Sequence, residues 1–412
     1  MNRRVVVTGM AGLCPLGSDW KSVADGLRSG RSAVRRVEAL EGYEGMATRV
    51  GATIDDFELP AGWPRKKTRT MGRVALLATR ASELALEAAG LLGNPALRDG
   101  RTGISYGSTT GSPPALEIYA RRFHLERTLK GIHATDYIQA MSHSVPANLA
   151  QFFEICGRVI PTCSACTSGS QGIGYGYEAI RFGRQEIMLA GGAEEFHPVD
   201  AAVFDVMYAT SKRNDAPHTT PRPFDVERDG LVVGEGAATL VLEALDHARA
   251  RGAGILAELV GYGTNCDGKH VTLPDEHGMR RVMELALEDA GLEPAAIDYV
   301  NAHATATEAG DIAESRATHA VFGARVPVSS LKGHIGHTLG ACGALEAWLS
   351  VEMMREGWLA PTLNLERVDP RCAELDYVQA RPRALEPEYV MSNNFAFGGV
   401  NTSLLFRRWN EG

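Results

Sequence analysis

The chain has 412 residues, with 42 Lys and Arg against 50 Asp and Glu for a formal charge of −8. That length supports a large core or two coupled domains, and the acidic balance gives no support to nucleic-acid binding. No apolar run approaches the roughly 18 residues of a membrane span, so membrane insertion is not expected; 45 glycines with 22 % charged and 44 % apolar residues read as a compact, soluble α/β enzyme.

At the start of the chain, basic residues precede only three consecutive apolar ones, Val5, Val6 and Val7. That is too short for a signal-peptide core and reads as an opening strand. Further strands are expected at 102–106, 186–190, 237–242, 255–263, 299–303, 326–329 and 403–406, with the first at 4–8. Helical spacing covers 74–89, 146–153, 167–182, 279–290 and 341–354, and Pro146 suits a first helical position. The alternation predicts mostly parallel sheets covered by helices. The segment 249–254, Arg-Ala-Arg-Gly-Ala-Gly, divides the chain into halves at 1–250 and 251–412. No internal sequence repeat is visible. The seven cysteines are odd in number and scattered, which excludes a disulfide framework and points to a reducing, cytoplasmic compartment.

Four motifs carry chemistry. In Thr162-Cys163-Ser164-Ala165-Cys166-Thr167-Ser168-Gly169-Ser170, small residues lead to a sulfur at the start of a glycine-rich helix. The positive end of a helix dipole favours thiolate, the reactive nucleophile. So many glycines in a helix cost about 1 kcal/mol each and imply that other backbones pack close. In Asn301-Ala302-His303-Ala304-Thr305-Ala306-Thr307, a strand ends at a histidine that can face a cleft, with hydroxyls beside it. In 329–346, glycines flank Lys332, His334 and His337 before an apolar helix; the spacing is not that of a GxxxxGK[ST] phosphate loop. Ser392-Asn393-Asn394-Phe395-Ala396-Phe397-Gly398-Gly399-Val400-Asn401 sets paired aromatics beside two glycines, as in a hinged loop.

Taken in order and spacing, these motifs resemble those of the elongating β-ketoacyl-[acyl-carrier-protein] synthases of the thiolase superfamily, over essentially the whole chain. The segments Ala190-Gly191-Gly192-Ala193-Glu194, Arg222-Pro223-Phe224-Asp225 and Pro361-Thr362-Leu363-Asn364 extend the likeness, and the C-terminal part is also similar to ketosynthases of aryl-polyene clusters. The resemblance implies a thiolase fold, with two βαβαβαββ halves in a five-layer αβαβα core, the first carrying the nucleophile and the second two catalytic histidines. It implies decarboxylative condensation of an acyl thioester with malonyl-acyl carrier protein, in fatty-acid or polyketide chain elongation. Cys166 would be the nucleophile; His303 and His337 would stabilise the malonyl enolate; Lys332 would order the site with Glu346 as its partner. The backbone amides of Cys166 and Phe397 would form the oxyanion hole. Thr305 and Thr307 would bind the phosphopantetheine arm, Phe395 would contact substrate, Phe397 would gate the acyl pocket, and Thr109 and Thr110 would either line that pocket or cap a turn. No metal or soluble cofactor is implied, since substrates arrive on the phosphopantetheine of acyl carrier protein. A homodimer, or a heterodimer with a chain-length-factor-like homologue, is implied.

Two departures stand out. The family usually has glycine where this chain has Ala304 and Ala396, and alanine tolerates positive φ poorly, so a stiffer gating loop is expected. His334 is extra and is expected to be structural or solvent-facing. The basic run Arg65, Lys66, Lys67 and Arg69, extended by Arg73, Lys212 and Arg213, is the expected docking patch for an acidic carrier protein. A non-catalytic scaffold of the same fold would lack the cysteine. A biosynthetic thiolase would carry a second cysteine near the C-terminal glycines, where none follows Cys372. A zinc or redox role for Cys163 and Cys166 lacks a second ligand pair.

Overall fold

The computed structural model describes residues 2–410. The first half runs β1 (Val5–Leu13), α1 (Arg73–Ala88), β2 (Thr102–Gly107), α2 (Ser144–Phe153), β3 (Val159–Thr162), α3 (Ser168–Arg181), β4 (Ile187–Glu194) and β5 (Gly236–Ala244). The second runs β6 (Ala257–Cys266), α4 (Glu276–Ala290), β7 (Tyr299–Asn301), α5 (Glu308–Phe322), β8 (Pro327–Ser329), α6 (Cys342–Glu356), β9 (Tyr389–Phe395) and β10 (Val400–Arg408). The strands lie in the order β3-β2-β4-β5-β1 and then β6-β10-β9-β7-β8, so β1 meets β6 where the halves join. In each half the second strand pairs parallel with the third and fourth; the fifth strand then pairs antiparallel with the fourth and the first. Strand order, sense and helix placement therefore repeat between the halves, giving the βαβαβαββ duplication of a thiolase fold. The expected predominance of parallel pairing is not found. Each half closes with an antiparallel strand: β10 returns on β9 through a four-residue loop, and β5 returns on β4 after the long excursion 195–235, which contains the helix Pro198–Asp205.

The layers follow from burial. Helices α3 and α6 pack on each other between the halves and touch strands of both. Ile173, Tyr177 and Ile180 share one apolar cluster with Leu345, Trp348 and Val351. Outside it, α1 and α2 cover the first half, and α4 and α5 cover the second, each over its own apolar cluster. Strands β4 and β5 are buried along their whole length, covered on both faces, which explains why they are mainly apolar, with Glu194, Thr239 and Glu243 as buried exceptions. The glycines of α3 admit this packing. A Cβ on Gly172 would lie 2.5 Å from the Gly191 carbonyl oxygen, and one on Gly174 would lie 2.2 Å from the Tyr262 ring. Pro146 occupies the third position of α2, still in the first turn, where its missing N–H breaks no helical bond.

Two of these ten strands escape the sequence pattern, as do the two-residue strands, among them Asp376–Tyr377 beside β8. β3 is a short edge, and β9 contains the buried polar run Ser392-Asn393-Asn394, which lacks the apolar residues that mark strands. Only residues 396–399 of the expected hinged segment form the connecting loop. Among the described residues, no helix is long and apolar enough to cross a membrane.

Candidate active site

The chain reaches Cys166 through a one-turn 3-10 segment, Ala165–Thr167, that opens directly into α3. Ala165 has φ +48°, in the left-handed region that alanine rarely adopts. Hydroxyl bonds hold this turn: Ser168 donates to the Ala165 carbonyl at 2.7 Å, and Thr167 to the Ser164 carbonyl at 2.8 Å. The result presents Cys166 at the base of a cavity of about 430 Å³, which His303, His337, Thr305, Thr307, Phe395 and Phe397 also line.

His337 comes from the loop between β8 and α6. Its Nε2 lies 3.0 Å from the Cys166 Sγ, while its Nδ1 is buried with no partner among the described residues. His303 follows β7, and its ring meets that of His337 edge-on, with centroids 5.1 Å apart. Two donors converge on the His303 Nδ1: the Lys332 ammonium at 3.3 Å and the Asn394 amide at 3.3 Å. Both also bond the carboxylate of Glu346, Asn394 at 2.7 Å and Lys332 in a fully buried ion pair. Nδ1 must therefore accept, and neutral His303 carries its proton on Nε2, toward the cavity. Behind it, buried Glu314 accepts the backbone amides of His303 and Ala304 at 2.7 and 2.6 Å, fixing the end of β7.

Burial sets the charge states. It pushes the Cys166 thiol up to about 12, against the pull of Lys332. Desolvation of this buried sulfur therefore opposes the thiolate that the helix start favours. Burial also holds His303 and His337 well below the ordinary histidine range, reinforced by the Lys332 charge, so both rings are neutral. Lys332 loses to burial but gains more from the adjacent Glu346, which keeps its ammonium protonated.

Cys166, His303, His337, Lys332, Glu346, Thr305, Thr307, Phe395 and Phe397 are thus brought together. The hydroxyls of Thr305 and Thr307 lie 3.0 Å apart on the cavity wall. Phe397 is half-buried, tilted against Phe204 with centroids 5.3 Å apart. Thr109 and Thr110 are not among the lining residues; the Thr109 hydroxyl and amide bond the buried carboxylate of Glu194. The positive φ angles of the last loop fall on Gly398 (+88°) and Gly399 (+71°), not on Ala396, and Ala304 also avoids that region. His334 is fully buried, its ring nitrogens 3.1 and 3.0 Å from the carbonyl oxygens of Arg31 and Pro361, so it is structural and not solvent-facing. In the basic run, Arg65, Lys66 and Arg69 are exposed. Lys67 instead bonds the Phe152 carbonyl and Glu154, and Arg73 is clamped on Glu235. Sequence reading gave no role to Asn394, Glu314, Glu194 or Cys342. Asn394 and Cys342 lay inside quoted motifs, but nothing local shows that they face the histidine pair.

Comparison with known proteins agrees with this geometry. The family models "Beta-ketoacyl synthase, N-terminal domain" and "C-terminal domain" match residues 2–248 and 256–366. The chain belongs to the β-ketoacyl synthase family. It is 37 % identical over 409 residues to 3-oxoacyl-[acyl-carrier-protein] synthase 1 of Escherichia coli, covering 98 % of this chain and 99 % of that one. A crystal structure of a β-ketoacyl synthase from Burkholderia phymatum superposes with a TM-score of 0.97 at 56 % identity, covering 99 % of this chain and 100 % of that one. The ishigamide ketosynthase/chain length factor superposes at 0.92 and 32 % identity, with 100 % of each chain covered. Like its relatives, the protein is a carbon–carbon bond-forming acyltransferase.

Proposed function

We propose that this synthase condenses a Cys166-bound acyl group with malonyl-acyl carrier protein, releasing CO2 and a β-ketoacyl-carrier protein. The observation that carries this reading is the Cys166, His337 and His303 trio at the base of a cavity whose wall bears two threonines. Cys166 attacks the acyl thioester while His337, 3.0 Å away, takes the thiol proton and passes it to the departing phosphopantetheine thiol. The tetrahedral oxyanion sits on the backbone amides of Cys166 and Phe397. Malonyl-carrier protein then places its thioester oxygen between the two histidines and loses CO2. The enolate attacks the acyl carbonyl, and the Cys166 sulfur leaves.

The two histidines differ in a way that suits these steps. His303 is a fixed donor, because Lys332 and Asn394 occupy its Nδ1. His337 is adaptable, because no described residue holds its Nδ1; its Nε2 accepts from a thiol in one step and donates to a carbonyl in the next. Thr305 and Thr307 bind the phosphopantetheine, Phe395 and Phe397 bound the acyl route, and Arg65, Lys66 and Arg69 dock the carrier. Residues 1–250 supply the nucleophile and 251–412 the histidines. The working assembly is a homodimer or a pair with a chain-length-factor-like homologue. Intact mass spectrometry of carrier-bound products, with and without candidate partner chains, tests the reaction and the partner together. No two-carbon extension under any pairing would refute the condensation. Product length and unsaturation would separate fatty-acid from aryl-polyene synthesis.

A further inference from the structure

Cys166, His303 and His337 form more than a catalytic trio. One sulfur and one ring nitrogen from each histidine lie within 4.8 Å of one another, buried, at the base of an open cavity. A cysteine and two histidines with an open fourth position is the donor set of a catalytic zinc site. Zinc would need bonds of about 2.3 Å to sulfur and about 2.0–2.1 Å to nitrogen, within reach of side-chain shifts of about an ångström. An enzyme that relies on all three side chains for another purpose must keep such an ion out.

The surroundings of His303 are the reverse of those that support a metal ligand. A ligating histidine normally donates its far N–H to a carboxylate or carbonyl, leaving the lone pair of the near nitrogen for the metal. Here the far nitrogen, Nδ1, faces two donors, the Lys332 ammonium and the Asn394 amide, each at 3.3 Å. Glu346, the carboxylate that could have supplied the acceptor, has an oxygen within 4.8 Å of a His303 ring nitrogen, yet it is engaged by those same two donors. We propose that Lys332 and Asn394 act as a metal filter: by donating to Nδ1 of His303 they lock its proton on Nε2 and deny the Cys-His-His set to divalent transition metals. His337 and Cys166 carry no such lock, so the exclusion rests on the one histidine whose tautomer is fixed. This goes beyond the condensation and does not depend on which acyl group is carried.

The filter can be opened by substitution. In Lys332→Met the apolar stem is kept and the ammonium lost, which frees Glu346 to accept from Nδ1 and turns His303 into a supported ligand. Asn394→Asp replaces a donor by an acceptor and serves as the second variant where Lys332→Met does not fold. Zn2+ is titrated into each purified protein in competition with a chromogenic chelator, and Co2+ is added separately to look for sulfur-to-cobalt charge transfer. The expected result is 10–100-fold tighter Zn2+ binding in either variant than in the parent, the size of a change in the groups behind a ligand. One ion should bind per chain, with a thiolate band for Co2+, and the gain should vanish when Cys166→Ser is added. Parent protein that binds Zn2+ through Cys166 as tightly as the variants would overturn the proposal, as would a gain that survives Cys166→Ser. The readout is bound metal, so a failure leaves the condensation reading to its own product assay.

Discussion

At the scale of single residues, the site works with neutral groups placed before they are needed. Burial disfavours the Cys166 thiolate, and His337 lies 3.0 Å away where it can take the thiol proton. Cys166→Ala or Cys166→Gln should abolish acyl loading and condensation while the fold persists. Acyl mass should appear on Cys166 in the parent only; full loading of exposed Cys163 instead would overturn the assignment. His303→Ala should keep acyl transfer to Cys166 and lose malonyl decarboxylation by about 10²–10³, the usual cost of one oxyanion donor. His337→Ala should show the same loss and, in addition, slower though measurable acylation, since the thiol also loses its proton acceptor. Stopped acylation assays beside CO2 release separate the two steps, and wild-type decarboxylation in both variants would remove these roles.

At the scale of elements, the site depends on buried carboxylates that pin loop backbones to strand and helix ends. Glu194, at the end of β4, accepts the Thr109 amide, the Thr109 hydroxyl and the Gly340 amide on one oxygen; the other is buried and unpartnered. Burial first and the charge of Asp200 second raise its pKa from the ordinary 4.5 to about 8. The folded state therefore holds this proton more tightly than the unfolded chain. Stability from this group is full below the lower value and lost as pH rises through about 8. The swing is about 3–5 kcal/mol at about 1.4 kcal/mol per unit. Urea unfolding should show Glu194→Gln gaining on the parent between pH 6 and pH 9; parallel curves would mean that Glu194 stays charged. In the last loop, two glycines take the positive φ angles and Ala396 does not, so alanine is tolerated there without strain. Ala396→Gly should loosen the loop at a stability cost of up to about 1 kcal/mol, by widening the unfolded ensemble. Pre-steady-state acylation with a panel of acyl-carrier proteins should then show an altered rate or chain preference, and identical behaviour would place any hinge at Gly398 and Gly399.

At the scale of the whole molecule, the two halves converge on one cavity. α3 brings the sulfur from the first half, and the loops after β7 and β8 bring the histidines from the second, with α3 and α6 packed together in the middle layer. On the proposed reading, the exposed basic residues of a protein with formal charge −8 steer the carrier. Arg65→Glu with Lys66→Glu should raise KM for carrier-bound substrate on the order of tenfold, flatten its salt dependence and leave kcat unchanged. Unchanged KM would move docking elsewhere, whereas the same change at Lys67 would act mainly on its contacts with Phe152 and Glu154. The sequence by itself marked most strands and the αβ alternation through hydrophobic period, and its likeness to family motifs singled out Cys166, His303, His337 and Lys332 as the candidate site. The five-layer duplication was legible only through the family resemblance, since the halves share a strand order without sharing a visible repeat. Nor did the sequence reveal that Thr109 holds Glu194, that His334 is buried between carbonyls, or that Asn394 and Lys332 converge on one nitrogen of His303. Those facts join residues up to 303 positions apart, and only close packing of distant segments in a water-poor interior decides which donor meets which acceptor.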